Sequence, residues 1–225
     1  MSIRIANLQS NVKRIGNDAF KDCKQLEKIN ISEQMEEIGE NAFENCLKIE
    51  SIILPESVKK IGDNAFTGCR HLKNMTLPTQ IEQLGEGVFQ RCYRLKYLKL
   101  PENIKEIPRE LCAQCYELEE VVLSETTEKI RYQAFADCIQ LKTIKNTGRM
   151  QALEDTVFQY CIRLEIPKLG EKCKNVLYPG TPLEQKRDNC EILMLGYDRK
   201  NIREEQKQKI KNIIDFAERM KRKDH

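Results

Sequence analysis

A cysteine recurs every 23 residues along this chain, at Cys23, Cys46, Cys69, Cys92, Cys115, Cys138 and Cys161, without one slip. Three residues before all but one of them stands a phenylalanine: Phe20, Phe43, Phe66, Phe89, Phe135 and Phe158. A fixed period of roughly 20 to 50 residues marks a stacked repeat, because each unit is too small to bury its apolar face alone and must lie on its neighbour. Repetition extends one core in one direction and leaves a long, regular face of variable residues.

The unit can be read residue by residue. An aliphatic residue follows each cysteine at +3 (Leu26, Ile49, Leu72, Leu95, Leu118, Leu141, Leu164), and others follow at +6 and +8, such as Met75 and Leu77. Period-two alternation predicts a short strand with +6 and +8 turned inward and +5 and +7 outward. Pro55, Pro78 and Pro101 end the strand. A second apolar pair, as in Val58 and Ile61, precedes a glycine in the first four units, which suits a tight bend. The stretch "DNAFTGC" then brings Ala65, Phe66 and Cys69 to one side in a single turn. Each unit is thus one strand, one bend and one tight turn, and strands about 4.8 Å apart would give roughly 30 Å of parallel sheet over seven units.

Charge and composition narrow the function. Thirty-eight basic residues against thirty-five acidic give +3, and the last 25 residues, with eight basic and five acidic, hold that whole excess. The body therefore lacks the broad positive field of a nucleic-acid surface, and nucleic acid is not an expected partner. No uncharged apolar run is long enough to span a bilayer, so no transmembrane insertion is expected. The N-terminus, "MSIRIANLQSNVKRIGNDAF", shows no apolar segment followed by a small-residue cleavage site. A cytoplasmic location is the expectation from the chain as written; secretion or cell-surface display is the alternative if a leader was removed.

The pattern A-F-x-x-C-x-x-L-x-x-I-x-L-P, running from about Asn7 to Leu164, resembles the BspA-like leucine-rich repeat family. The resemblance implies a curved repeat solenoid of the α/β-type leucine-rich class, with short parallel strands on one face and turns and short helical turns on the other. It also implies a scaffold, often from bacterial or protozoan surface proteins, that binds other proteins and is not itself an enzyme. The chain departs from the pattern in its later units, where the glycine gives way to Pro108, Arg131 and Glu154, and where Pro167 stands at a strand position.

The cysteines read as a buried ladder: cysteine is a small hydrophobe with a weak S–H donor, suited to an inward position facing a carbonyl of the adjacent coil. Cys112 and Cys115 form a C-x-x-C, but Cys115 belongs to the ladder, Cys112 fills the phenylalanine slot and Leu111 the alanine slot. No second pair or nearby histidine completes a metal set, so no metal and no cofactor are expected. Cys173 and Cys190 lie off the lattice. His71 falls at a variable, surface position, and no nucleophile, phosphate-loop or zinc motif is present, so no catalytic residues are assigned.

The expected site is the outward row of the strands, where another protein would bind: Lys28 and Asn30, Ser51 and Ile53, Asn74 and Thr76, Tyr97 and Lys99, Glu120 and Val122, Thr143 and Lys145. Ile53 and Val122 would present β-branched apolar surface there, and Tyr97 an amphipathic ring of the kind enriched at binding hot spots. Three regions follow: a solenoid of seven units over 1–165, an irregular connection or cap over 166–200, and an amphipathic helix over 201–223. The helix carries Ile202, Ile210, Ile213, Ile214, Ala217 and Met220 on one stripe, after a capping-box-like Asn201 and Glu204. Its expected role is to cap the open end of the solenoid; the alternatives are a second contact site for a partner helix, or an anionic surface met through Lys221, Arg222 and Lys223.

Overall fold

The computed structural model describes residues 3–154, 156–165 and 204–222. The predicted connection over 166–200, with Pro167, Cys173 and Cys190, and the helix start at Asn201 and Ile202 lie outside the described residues.

Each coil is taken to end at its ladder cysteine, so that coil 1 closes at Cys23 and coil 7 at Cys161. Every coil contributes a three-residue strand: β1 (Ile5–Asn7), β3 (Lys28–Asn30), β5 (Ser51–Ile53), β7 (Asn74–Thr76), β9 (Tyr97–Lys99), β11 (Glu120–Val122) and β13 (Thr143–Lys145). The middle residue of β3 to β13 is buried and its two neighbours face outward or lie at the rim. This is the alternation the sequence predicts. All pairings are parallel, with partners 23 residues apart, as in Ile5 with Lys28 and Tyr97 with Glu120.

The expected unbroken sheet is divided. β1 pairs β3, β5 pairs β7, and β9, β11 and β13 form a third ladder.

A second row of strands, not foreseen, occupies the predicted bend: β2 (Arg14–Ile15), β4 (Glu37–Ile38), β6 (Lys60–Ile61), β8 (Gln83–Leu84), β10 (Glu106–Ile107), β12 (Lys129–Ile130) and β14 (Ala152–Leu153). β2 to β8 form one sheet and β10 to β14 another. The physical reason for the gap is Pro108. The residue after each short strand donates its amide to the preceding coil, as Gly39 does to Ile15, Gly62 to Ile38, Gly85 to Ile61, Arg131 to Ile107 and Glu154 to Ile130. Proline has no N–H to donate toward Leu84.

The glycines of this column also serve a purpose other than the one expected. Gly39, Gly62 and Gly85 do not adopt left-handed backbone; instead a Cβ at Gly62 would come within 2.7 Å of the Glu40 amide nitrogen, and one at Gly85 within 2.5 Å of that of Asp63. They allow close approach of successive coils.

The turns before each cysteine follow a third ladder. Asn41, Phe43 and Asn45 donate their amides to Asp63, Ala65 and Thr67 of the next coil, at 2.8 to 2.9 Å. Two residues in each of these turns are left-handed, such as Asn41 (φ 53°) and Asn45 (φ 59°), and they stop each i→i+3 turn from propagating into a helix. Inside, Phe20, Phe43, Phe66 and Phe89 stack with near-parallel rings 5.2 to 5.9 Å apart. Cys112 breaks this column, which resumes with Phe135 on Phe158. The main core is continuous from Ile15 to Leu164.

The C-terminal helix α1 (Glu204–Arg222) lies along the flank of the solenoid. Its seat is the residue after each cysteine: Tyr93, Tyr116, Ile139 and Ile162. Ala217 is buried against this row, and Ile210 and Ile213 reach the main core. Phe216, which the predicted stripe omits, meets Tyr93 and Tyr116 edge-on at 5.8 Å. The helix thus returns from coil 7 to coil 5 as a lateral strap, and its apolar face packs within the chain.

Candidate functional site

The thiol column is a structural device. Cys46, Cys69, Cys92, Cys115 and Cys161 each donate Sγ–H to the carbonyl of the phenylalanine 26 residues earlier, at 3.0 to 3.2 Å. Cys138 does the same to Cys112, whose backbone keeps the phenylalanine position although its side chain does not. Burial pushes the Cys46 thiol up to about 12 and those of Cys69, Cys92, Cys112 and Cys138 well above the usual range. A thiol that holds its proton is neither a nucleophile nor a ready metal ligand. Among the described residues no group of three His, Cys, Asp or Glu is placed to hold a metal ion. His71 is half-buried and not on the open surface, with Nδ1 against the Leu47 carbonyl.

What remains accessible is the strand face. Backbone register sets its side chains in two rows, one through Lys28, Ser51, Asn74, Tyr97, Glu120 and Thr143, the other through Asn30, Ile53, Thr76, Lys99, Val122 and Lys145. Ile53 is 87% exposed and Tyr97 44% exposed, on strands whose middle residues are buried. Val122 does not present the open surface expected of it. It is half-buried, with Lys99 and Lys145 as its partners in register on either side. Ile5, 60% exposed, heads the first row opposite Lys28 and was missed; stepping back one period from Lys28 would have found it.

Polar contacts divide this face. Asn30 donates to Asn7 one coil back. Lys145 binds Glu120 at 2.9 Å. Just outside the rows, Lys73 pairs with Glu50 and Lys142 with Glu119, both at 2.8 Å, and Arg4 pairs with Glu27 at 2.9 Å. These contacts hold the Glu50, Glu119 and Glu27 carboxyls below their ordinary range, chiefly through the hydrogen bonds from Lys73, Lys142 and Arg4. Each such exposed pair contributes little stability, but the array keeps long side chains ordered on a rigid sheet.

Stacked parallel coils with an ordered strand face and a sealed thiol and phenylalanine interior define a leucine-rich repeat scaffold. Residues 1–116 and 105–177 match the family described as BspA type leucine rich repeat region (6 copies). The chain belongs to that family.

Among solved structures it is similar to the T. pallidum leucine rich repeat protein, at 27% identity and TM-score 0.68, over 72% of this chain and 78% of that one. It also resembles a leucine-rich repeat protein from Bacteroides ovatus, at 30% identity and TM-score 0.69, over 74% of this chain and 44% of that one. A leucine rich cell surface protein from Faecalibacterium prausnitzii shares the fold at 23% identity and TM-score 0.64, over 73% of this chain and 47% of that one. The chain thus spans less than half the length of the latter two. No curated protein matches.

These relatives correct the cytoplasmic expectation. That expectation rested on the first residues alone, whereas the Faecalibacterium prausnitzii relative is a leucine rich cell surface protein.

Proposed function

We propose that this solenoid is a protein-contact module displayed at the cell surface, and that it engages its partner through the strand face around Ile53 and Tyr97. The observation that carries the reading is the 87% exposure of Ile53, two strands along the same face from the exposed ring of Tyr97. A rigid parallel sheet presents such residues with little backbone ordering on binding, and tyrosine is among the residue types enriched at interface hot spots.

The reading is tested by affinity capture from a surface extract of the source cells. Wild type is compared with a triple variant, Ile53→Asp, Tyr97→Ala, Val122→Asp, whose unchanged melting transition shows that it is folded. A protein held by wild type alone supports the strand face as the site. Equal retention moves the site to the turns or to the outer side of α1. Protease shaving of intact cells checks the location: loss of the protein from shaved cells is expected, and full protection overturns surface display.

A further inference from the structure

Resting on the strand face as the binding site, we infer that its partner is an acidic, extended protein segment carrying an apolar residue between two carboxylates. The argument comes from which charges on the face are already neutralised. Its acids are occupied: Glu27 by Arg4 and Lys48, Glu50 by Lys73, Glu119 by Lys142 and Glu120 by Lys145. Lys28 and Lys99, both exposed, have no carboxylate within ion-pair distance among the described residues. The unpaired charge on this face is therefore positive, and it brackets the apolar patch. Lys28 lies on β3, next in the stack to Ile53 on β5; Lys99 lies on β9 in the same strand as Tyr97.

Three strand spacings of about 4.8 Å separate β3 from β9, so the backbone positions of the two lysines lie on the order of 14 Å apart across the strands. An extended chain rising about 3.3 Å per residue covers that span in about four residues. A segment lying across the strands would place one carboxylate on Lys28, an aliphatic side chain against Ile53 and Tyr97, and a second carboxylate on Lys99. Between the lysines, Asn30, Ser51, Asn74 and Thr76 offer neutral donors and acceptors to its backbone. Unpaired rim charges of one sign steer a partner of opposite sign and reject one of like sign, while the apolar centre supplies the slow dissociation.

The experiment measures fluorescence anisotropy with two labelled eight-residue probes. One carries two glutamates four residues apart with a leucine between them; its twin has lysine at both glutamate positions. Wild type is expected to bind the acidic probe at least 10-fold more tightly than the twin, and to lose most of that preference between 50 and 500 mM salt. Lys28→Glu with Lys99→Glu, on the surface and outside the core, is expected to reverse the preference, while Ile53→Asp weakens both probes.

Equal binding of the twins, with loss on Ile53→Asp, overturns the charge assignment and leaves the strand-face site standing. Binding of neither probe overturns the acidic-segment assignment, while the capture experiment judges the site separately. Displacement of the acidic probe by heparin at lower concentration than by the unlabelled peptide also overturns it, in favour of a polyanionic glycan.

Discussion

The first four coils and the last three follow the same 23-residue lattice by different means. In coils 1 to 4 the left-handed positions are filled by Asp18, Asn41, Asn64 and Gly87, and by Asp22, Asn45, Gly68 and Arg91. All but Arg91 are residues that enter that region at little cost. In coils 5 to 7 the same positions hold Glu110, Gln133 and Thr156, and Gln114, Asp137 and Tyr160. All but Asp137 carry a long or β-branched side chain, which there costs on the order of 1–2 kcal/mol. The phenylalanine stack is unbroken in the first group and interrupted at Cys112 in the second, and the short-strand sheet is cut at Pro108 between them. Against the irregular coils lies α1, with Phe216 on Tyr93 and Tyr116 and Ala217 in one apolar cluster with them and Ile139. A repeat that satisfies every ladder needs only its neighbour. One that does not is buttressed from the side.

The sharpest way to break this comparison is in the regular half. Phe66→Ala removes a fully buried ring from the middle of the stack and should cost about 3–5 kcal/mol in denaturant unfolding. A midpoint within error of wild type would mean the stack is not what holds coils 2 to 4 together. In the buttressed half, Phe216→Ala should cost less, about 1–2 kcal/mol, because the ring is only half-buried and loses two edge contacts. Its mark should be faster hydrogen exchange in coils 5 and 6 with coils 1 to 3 unchanged. A uniform change along the solenoid would show that α1 supports no particular region.

The left-handed positions predict opposite signs in the two halves. Gly68→Ala, at φ 73°, should lose about 1 kcal/mol. Thr156→Asn, at φ 54°, should gain about as much, read as a shift of the denaturation midpoint. Matching signs would refute the claim that the later coils carry more backbone strain.

Alkaline pH probes the thiol ladder common to both halves. The folded pKa of Cys46 is raised to about 12 by burial, so the native state keeps a proton that the unfolded chain releases near its ordinary value of 9.0. Stability contributed this way is complete below that value and falls as pH rises toward 12. The native protein should resist iodoacetamide at the ladder thiols at pH 8 and react fully once unfolded; rapid native labelling of Cys46 or Cys69 would contradict their burial.

The smallest effect is expected at Pro108. Replacing it with arginine, the residue coil 6 carries at that position, should change stability by less than about 1 kcal/mol. The amide at 108 should become protected by the Leu84 carbonyl, and an amide that exchanges freely would give the sheet break another cause.

The 23-residue period by itself determined that the chain stacks, which side chains enter the core, where each long strand falls and which residues line its outer face. The reason is that core positions are set by alternation and repetition, both of them one-dimensional. The cysteine ladder was legible for the same reason, since a small weak donor at an invariant inward position has the adjacent coil's carbonyl in reach. The second strand row was not legible, because two residues of ladder such as Lys60–Ile61 have no periodicity of their own and exist only by pairing with the coils above and below. Nor was the pairing of Glu120 with Lys145, two residues 25 apart on adjacent strands, or the rim position of Val122. The helical stripe was visible, but its seat along the Tyr93 and Tyr116 flank was not, since an amphipathic pattern specifies that a face must be covered and not by what. Only the tertiary structure decided which lysines of the strand face are left unpaired, because pairing depends on distances between coils that no linear pattern contains.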